Sequence, residues 1–258
     1  MTLSSDKKVL ISCDREAKKF EIPDSVTTID DGAFAFCIDL KSVKCPSSLT
    51  AIGGQAFAYS GITSFYIGEH VSSIGDGAFA NCYDLEKIRV SPKNKYYRSI
   101  EGVLFNKANT VLIYYPQGKE DPFYKIPPPV TQLFPAAFLD CRNLKALHIN
   151  EKLQDIATYN FLDCYDLQRI TVDEKNTCFS LRDDVLFDCN QMILLLYPRD
   201  KEDRTYTVPE GVQDIHVGSF NYNFFLTSIT LPDSVIALGP MCFCKCSGNA
   251  AQIATVSM

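Results

Sequence analysis

The sequence predicts a repeat solenoid, with short coils stacked on one another and two β-hairpin inserts between them. Three observations carry this. The first is a template, clearest in VSSIGDGAFANCYDLEKIRV (Val71–Val90), with apolar or small residues at steps 0, 3, 7, 8, 11, 14, 17 and 19. The second is its recurrence from Val26, Leu49, Val71, Val130, Leu153, Val212 and Val235, at intervals of 22 or 23 residues or of 59. The third is Phe at step 8 of all seven copies: Phe34, Phe57, Phe79, Phe138, Phe161, Phe220 and Phe243. Periods of about 20–50 residues mark units that cannot bury an apolar face alone and must stack.

The elements follow in chain order. Residues 1–25 form an N-terminal cap, because Lys8–Pro23 resembles the second half of the later inserts and an end coil must be covered. Within a coil, steps 14, 17 and 19 (Leu85, Ile88 and Val90 in the clearest copy) end in the alternation of a half-buried strand. Asp76-Gly77-Ala78-Phe79 reads as one short helical turn capped by Asp76. Pro46, Pro127, Pro209 and Pro232 mark strand exits. The inserts, 91–127 and 173–209, align at an offset of 82: Asn94 with Asn176, Val103-Leu104-Phe105 with Val185-Leu186-Phe187, and Tyr115-Pro116 with Tyr197-Pro198. In each, two β-rich runs flank a short polar connection, NKAN or DCNQ, as a hairpin requires. Residues 247–258 lack the strand pattern and are expected to be a degenerate C-terminal end of this one elongated domain.

Composition narrows the function. The chain has 258 residues, 46% of them hydrophobic, enough for a sizeable core. A net charge of −6 argues against binding that depends on neutralising nucleic-acid phosphates. No apolar run reaches the length of a membrane span. The N-terminal MTLSSDKKVLISCDREAKKF lacks the pattern of a secretory signal, so localisation is open from sequence.

Eleven cysteines suggest disulfides until their positions are counted. Cys37, Cys82, Cys141, Cys164 and Cys246 all occupy step 11, where the coil from Val212 has Asn223. A slot shared by Cys and Asn is a hydrogen-bonding slot, in which the side chain bonds turn carbonyls. The file is therefore expected to be buried and reduced.

IPDSVTTIDDGAFAFCIDLKSVKCP and VSSIGDGAFANCYDLEKIRVSP resemble BspA-type (Treponema-type) leucine-rich repeats, and GVLFNKANTVLIYYP resembles spacers of the same family. The resemblance covers about residues 8–246. It implies parallel β-strands lining a concave face, and a surface or secreted protein engaged in adhesion and protein binding. It implies no catalytic residues and no cofactor.

Candidate chemistry is sparse. His70, His148 and His216 fall at different repeat steps, which separates them. Cys242-x-Cys244-x-Cys246 could suggest a metal, but Cys242 takes the Ala slot and Cys246 the step-11 file, so neither metal nor cofactor is expected. The triple Pro127-Pro128-Pro129 could offer a polyproline ligand, or simply open a coil. Steps 16 and 18 alternate with buried strand positions and should face outward from the concave sheet. They read Ser42, Lys44, Ser64, Tyr66, Lys87, Arg89, Ala146, His148, Arg169, Thr171, Ser228 and Thr230, without an acid, Ser64 and Tyr66 falling one step early in the 22-residue coil from Leu49. Such residues suit any exposed strand; equally, Lys44, Tyr66, Lys87, Arg89, His148 and Arg169 make a mildly basic stripe suited to an acidic protein or sulfated glycan. Two functions stay open: a non-catalytic adhesion module recognising host or matrix protein or glycan, and an intracellular scaffold for a regulatory protein. The inserts are a competing location for recognition.

Overall fold

The structure is a computed structural model and describes residues 1–156, 159–244, 246 and 254–256. The segment 247–258, expected to be a degenerate end, lies outside the described residues except for a strand at Ala254–Val256. The chain forms two compact units, Met1–Glu120 and Asp121–Met258.

The six coils that start from Val26 to Val212 each contribute a long strand within steps 16–19, one step earlier in the coil from Leu49. In the N-terminal unit Lys19–Glu21 pairs in parallel with Ser42–Lys44, and Ser64–Ile67 with Lys87–Val90. In the C-terminal unit Phe123–Lys125, Ala146–Ile149 and Arg169–Val172 form one parallel sheet, and Thr205–Thr207, Ser228–Leu231 and Ala254–Val256 another. Inward residues such as Phe65, Ile67 and Ile88 are buried while Tyr66 and Arg89 are exposed, the period of two that a half-buried sheet imposes.

A second, shorter strand column runs through the coils at steps 2–3. Val9–Ser12, Thr28–Ile29, Ala51–Ile52 and Ser73–Ile74 pair in parallel in the N-terminal unit. Ile193–Leu196, Asp214–Ile215 and Ala237–Leu238 do so in the C-terminal unit. Two-residue strands leave no periodicity to read.

The turn expected to be helical is not. Among the described residues there is no helix. Step 6 has a positive φ in every coil, at Gly32, Gln55, Gly77, Ala136, Tyr159, Gly218 and Met241. So does step 10, at Phe36, Tyr59, Asn81, Asp140, Asp163 and Tyr222. Left-handed residues every four positions replace the helix by linked β-turns, such as Ala80 N to Gly77 O at 2.8 Å. The freed N–H groups donate across to the next coil: Phe34 to Ala56 at 2.7 Å, Phe57 to Ala78 at 2.8 Å, Phe220 to Cys242 at 2.8 Å. Neighbouring coils are thus hydrogen-bonded along both strand columns and along the turns.

The step-8 Phe residues form the core. Phe34 stacks on Phe57 at 4.8 Å between ring centres and Phe57 on Phe79 at 5.6 Å. In the C-terminal unit Phe138 meets Phe161 at 6.2 Å and Phe220 meets Phe243 at 5.5 Å. Three of the step-11 cysteines bond a turn carbonyl, that of the Phe one layer back, whereas Asn223 donates to Pro198 O and Arg199 O and Cys37 meets Cys13. Cys82 donates to Phe57 O, Cys164 to Phe138 O and Cys246 to Phe220 O, each at 3.0 Å. Where an insert follows a coil, another residue fills the slot: Tyr114 Oη donates to Phe79 O at 2.7 Å and Arg199 Nη2 to Phe161 O at 2.8 Å. Cys246 is committed to this bond and Cys242 is buried in an apolar cluster, so the Cys-x-Cys-x-Cys run serves the core.

Each insert contains the predicted hairpin and one strand more. Tyr97–Ile100, Val103–Asn106 and Val111–Tyr114 are antiparallel, as are Phe179–Arg182, Val185–Asp188 and Ile193–Leu196. Asn94 and Asn176 lock the entry to the inserts. Asn94 donates to Gly68 O and Val71 O and accepts from the N–H groups of Tyr96 and Tyr97; Asn176 repeats all four bonds. In the second insert Ile193–Leu196 also joins the short-strand column, so the insert is an enlarged coil with a hairpin on its first half. Lys8–Pro23 occupies the same two columns through Val9–Ser12 and Lys19–Glu21.

Candidate functional site

The parallel register of the long strands sets side chains of successive coils side by side, with strands about 4.8 Å apart. In the N-terminal unit Tyr66 aligns with Arg89 and Ser64 with Lys87. Tyr66 is 52% exposed, and Arg89 is exposed with no ion-pair partner among the described residues. Lys87 is half-buried, its ammonium 3.9 Å from Glu86. Lys44 pairs with Glu21 on the adjacent strand, and both are exposed. This corrects the expectation of a face free of acids: Glu21 belongs to Lys19–Glu21, ahead of the first recognisable coil.

The first insert abuts this face. Ile88 N donates to Gly102 O at 2.8 Å and Val90 N to Ser99 Oγ at 3.2 Å. Gly102 has φ +83, and a Cβ there would lie 2.8 Å from Lys87 Cβ. Stripe and insert hairpin, separate candidates by sequence, are contiguous beside Lys87 and Arg89.

In the C-terminal unit the register aligns Phe123, Ala146 and Arg169, and beside them Lys125, His148 and Thr171. Arg169 is exposed, and Phe123 is 55% exposed. His148 is partly buried, with Nδ1 2.9 Å from Thr171 Oγ1. Burial first, then the Lys125 charge, holds its imidazole below the ordinary 6.5, so it serves at neutral pH as an uncharged contact. Lys19, Phe123 and Lys125 join the stripe although the step count misses them, because their strands precede a coil start. The signal was available: Tyr124 matches Tyr206 between the inserts, and its neighbours on the strand must point outward.

A second apolar surface of the N-terminal unit lies on the turns. Phe36 and Tyr59 stack at 4.9 Å beside a cleft of about 250 Å³ that Gly61 floors. It is not on the long-strand face.

Stacked coils, each with a parallel strand and a repeated apolar template, define a leucine-rich repeat solenoid. The sequence profile described as BspA type Leucine rich repeat region matches residues 7–121 and 123–250, in six copies. The chain belongs to this family. No curated protein matches the chain by sequence. Among solved structures it is similar to the pneumococcal vaccine antigen PcpA, at 25% identity and a TM-score of 0.66, over 93% of this chain and 59% of that one. It is similar also to a leucine rich cell surface protein from Faecalibacterium prausnitzii, at 28% identity and a TM-score of 0.67, over 93% and 60%. A leucine-rich repeat protein from Eubacterium ventriosum, 21% identical with a TM-score of 0.55, shares the fold over 89% of this chain and 77% of that one. The chain spans about three fifths of the length of the first two. No helix among the described residues is long and apolar enough to cross a membrane.

Proposed function

We propose that the chain is a non-catalytic binding module of a surface or secreted protein, and that its long-strand face recognises an acidic protein segment or a sulfated glycan. One observation carries this reading: Tyr66, Lys87 and Arg89 lie side by side on the N-terminal unit and Phe123, Lys125 and Arg169 on the C-terminal one. The only acid at the outward positions of these strands, among the described residues, is Glu21, which Lys44 already occupies. Cations beside exposed aromatic rings, in a chain of net charge −6, are an arrangement for meeting anions. The descriptions of two similar structures, a vaccine antigen and a cell surface protein, support the surface setting.

The test is a panel against heparin and acidic protein ligands. Replacing Lys44, Lys87, Arg89 and Arg169 together by Ser should leave stability within about 0.5 kcal/mol per site. Binding should weaken, chiefly through the association rate, and wild-type affinity should fall with added salt. Lys44→Ser alone should matter least, because its partner Glu21 already neutralises it. Unchanged affinity in the four-fold variant, with loss on polar substitution of 107–110 and 189–192, would move the site to the insert hairpins.

A further inference from the structure

The first member of the step-11 file has no Phe carbonyl in front of it. Cys82, Cys164 and Cys246 each face the Phe of the preceding layer. In front of Cys37 lies the N-terminal segment, and Cys13 Sγ stands 2.9 Å from Cys37 Sγ in a hydrogen-bond contact. Among the described residues both are free thiols.

Backbone bonds fix the two positions independently of the sulfurs. Cys13 follows the strand Val9–Ser12 and its N–H donates to Ala33 O at 3.0 Å. The Cys37 N–H donates to Phe34 O at 3.3 Å, and its carbonyl accepts from Leu40 and Gly61. Access differs: Cys37 is 1% exposed, whereas Cys13 is partly open to solvent. We propose that Cys13 and Cys37 form a site of oxidative modification, closing to a disulfide by exchange with a small-molecule disulfide such as oxidised glutathione.

The exchange takes two displacements. Cys13, the sulfur that solvent reaches, attacks the small disulfide; one thiol leaves and a mixed disulfide remains on Cys13. Cys37 then attacks the Cys13 sulfur, the S–S bond to the small molecule breaks, and the second thiol leaves with the Cys37 proton. Two protein thiols are oxidised, one small disulfide is reduced, and two small thiols are released. Cys37 is already placed to resolve the mixed disulfide, because its Sγ stands 2.9 Å from Cys13 Sγ. The product ties the N-terminal segment to the first coil. Cys82 and Cys164, buried and each bonded to a carbonyl, have no equivalent partner in reach of solvent.

The experiment incubates the native chain with oxidised glutathione, quenches by alkylation in denaturant, and maps peptides by mass spectrometry. Nine of the eleven cysteines should alkylate, with a linked peptide pair joining Cys13 to Cys37. Cys13→Ser should leave all remaining thiols alkylatable, and Cys37→Ser should trap glutathione on Cys13. Alkylation of all eleven in the wild type, glutathione persisting on wild-type Cys13, or a link between any two step-11 cysteines would overturn the assignment.

Discussion

At the scale of single residues, the Phe at step 8 and the donor at step 11 act as one unit. The ring fills the core, and its carbonyl, which accepts the step-11 N–H of its own β-turn (Ser60 N to Phe57 O at 3.0 Å), has a second lone pair that takes a donor from the next layer. Cys82, Tyr114, Cys164, Arg199 and Cys246 are chemically unlike and do the same job. This explains a residue that composition alone makes puzzling. Arg199 is 2% exposed, its Nε and Nη1 have no hydrogen-bond partner, and its charge rests over the rings of Tyr165 and Tyr222 at 5.8 and 5.6 Å. Phe57→Ala should cost about 3–5 kcal/mol in urea melts. Cys82→Ala should cost about 0.5–1.5 kcal/mol because Phe57 O loses the second of its two donors, and Cys82→Ser should cost less. A Ser variant as damaging as Ala would mean that the slot is filled for volume alone. Acid should act through His216 and His148. Burial holds both below the ordinary 6.5, so the unfolded chain takes up protons first as pH falls. The contribution of each is complete above about 6.5 and is lost as pH drops through the lower folded value. His216→Gln should therefore flatten the acid limb of a stability profile; an unaltered slope would exclude His216 as its source.

At the scale of elements, legibility followed length and redundancy. The long strands were readable because steps 14, 17 and 19 repeat with a period of two. The insert hairpins were readable because two copies align. The short strands hold two residues each, and Tyr97–Ile100 alternates too weakly to stand out. The turns misled for a physical reason. Asp-Gly-Ala-Phe suits a helical turn locally, but cross-coil bonds such as Gln55 N to Asp76 O at 3.0 Å outweigh local preference and force steps 6 and 10 into the left-handed region. The candidate face was half legible: Tyr66, Lys87, Arg89, His148 and Arg169 lie on the long strands as the step count requires, whereas Glu21 and Lys125 come from segments without the template. Gly102 tests the junction between insert and face. Gly102→Ala would place a methyl against Lys87 in a conformation that disfavours L-residues, and should destabilise by about 1–3 kcal/mol. If the hairpin shapes the basic site, this variant should also weaken anion binding more than Gly211→Ala, where a Cβ meets nothing within 4 Å.

At the scale of the whole molecule, a coil of some 23 residues cannot stand alone. Burying six to eight apolar side chains contributes roughly 10–20 kcal/mol, while ordering the backbone costs about 1–2 kcal/mol per residue. Bonds to neighbours on both strand columns and along the turns make up the difference, so stability should be a sum of nearest-neighbour terms. Native-state hydrogen exchange reads this directly. Phe57→Ala removes a ring stacked on Phe34 and Phe79, and should lower protection first in the amides of Ile29, Ile52 and Ile74, which share that part of the core. The amides of Ile215 and Ile229, grouped in the core of the C-terminal unit around Phe220, should keep their protection at low denaturant. Phe220→Ala should reverse the pattern. Equal loss at all five amides in both variants would mean that the coils unfold as one cooperative block, and that the energy of stacking is shared along the chain.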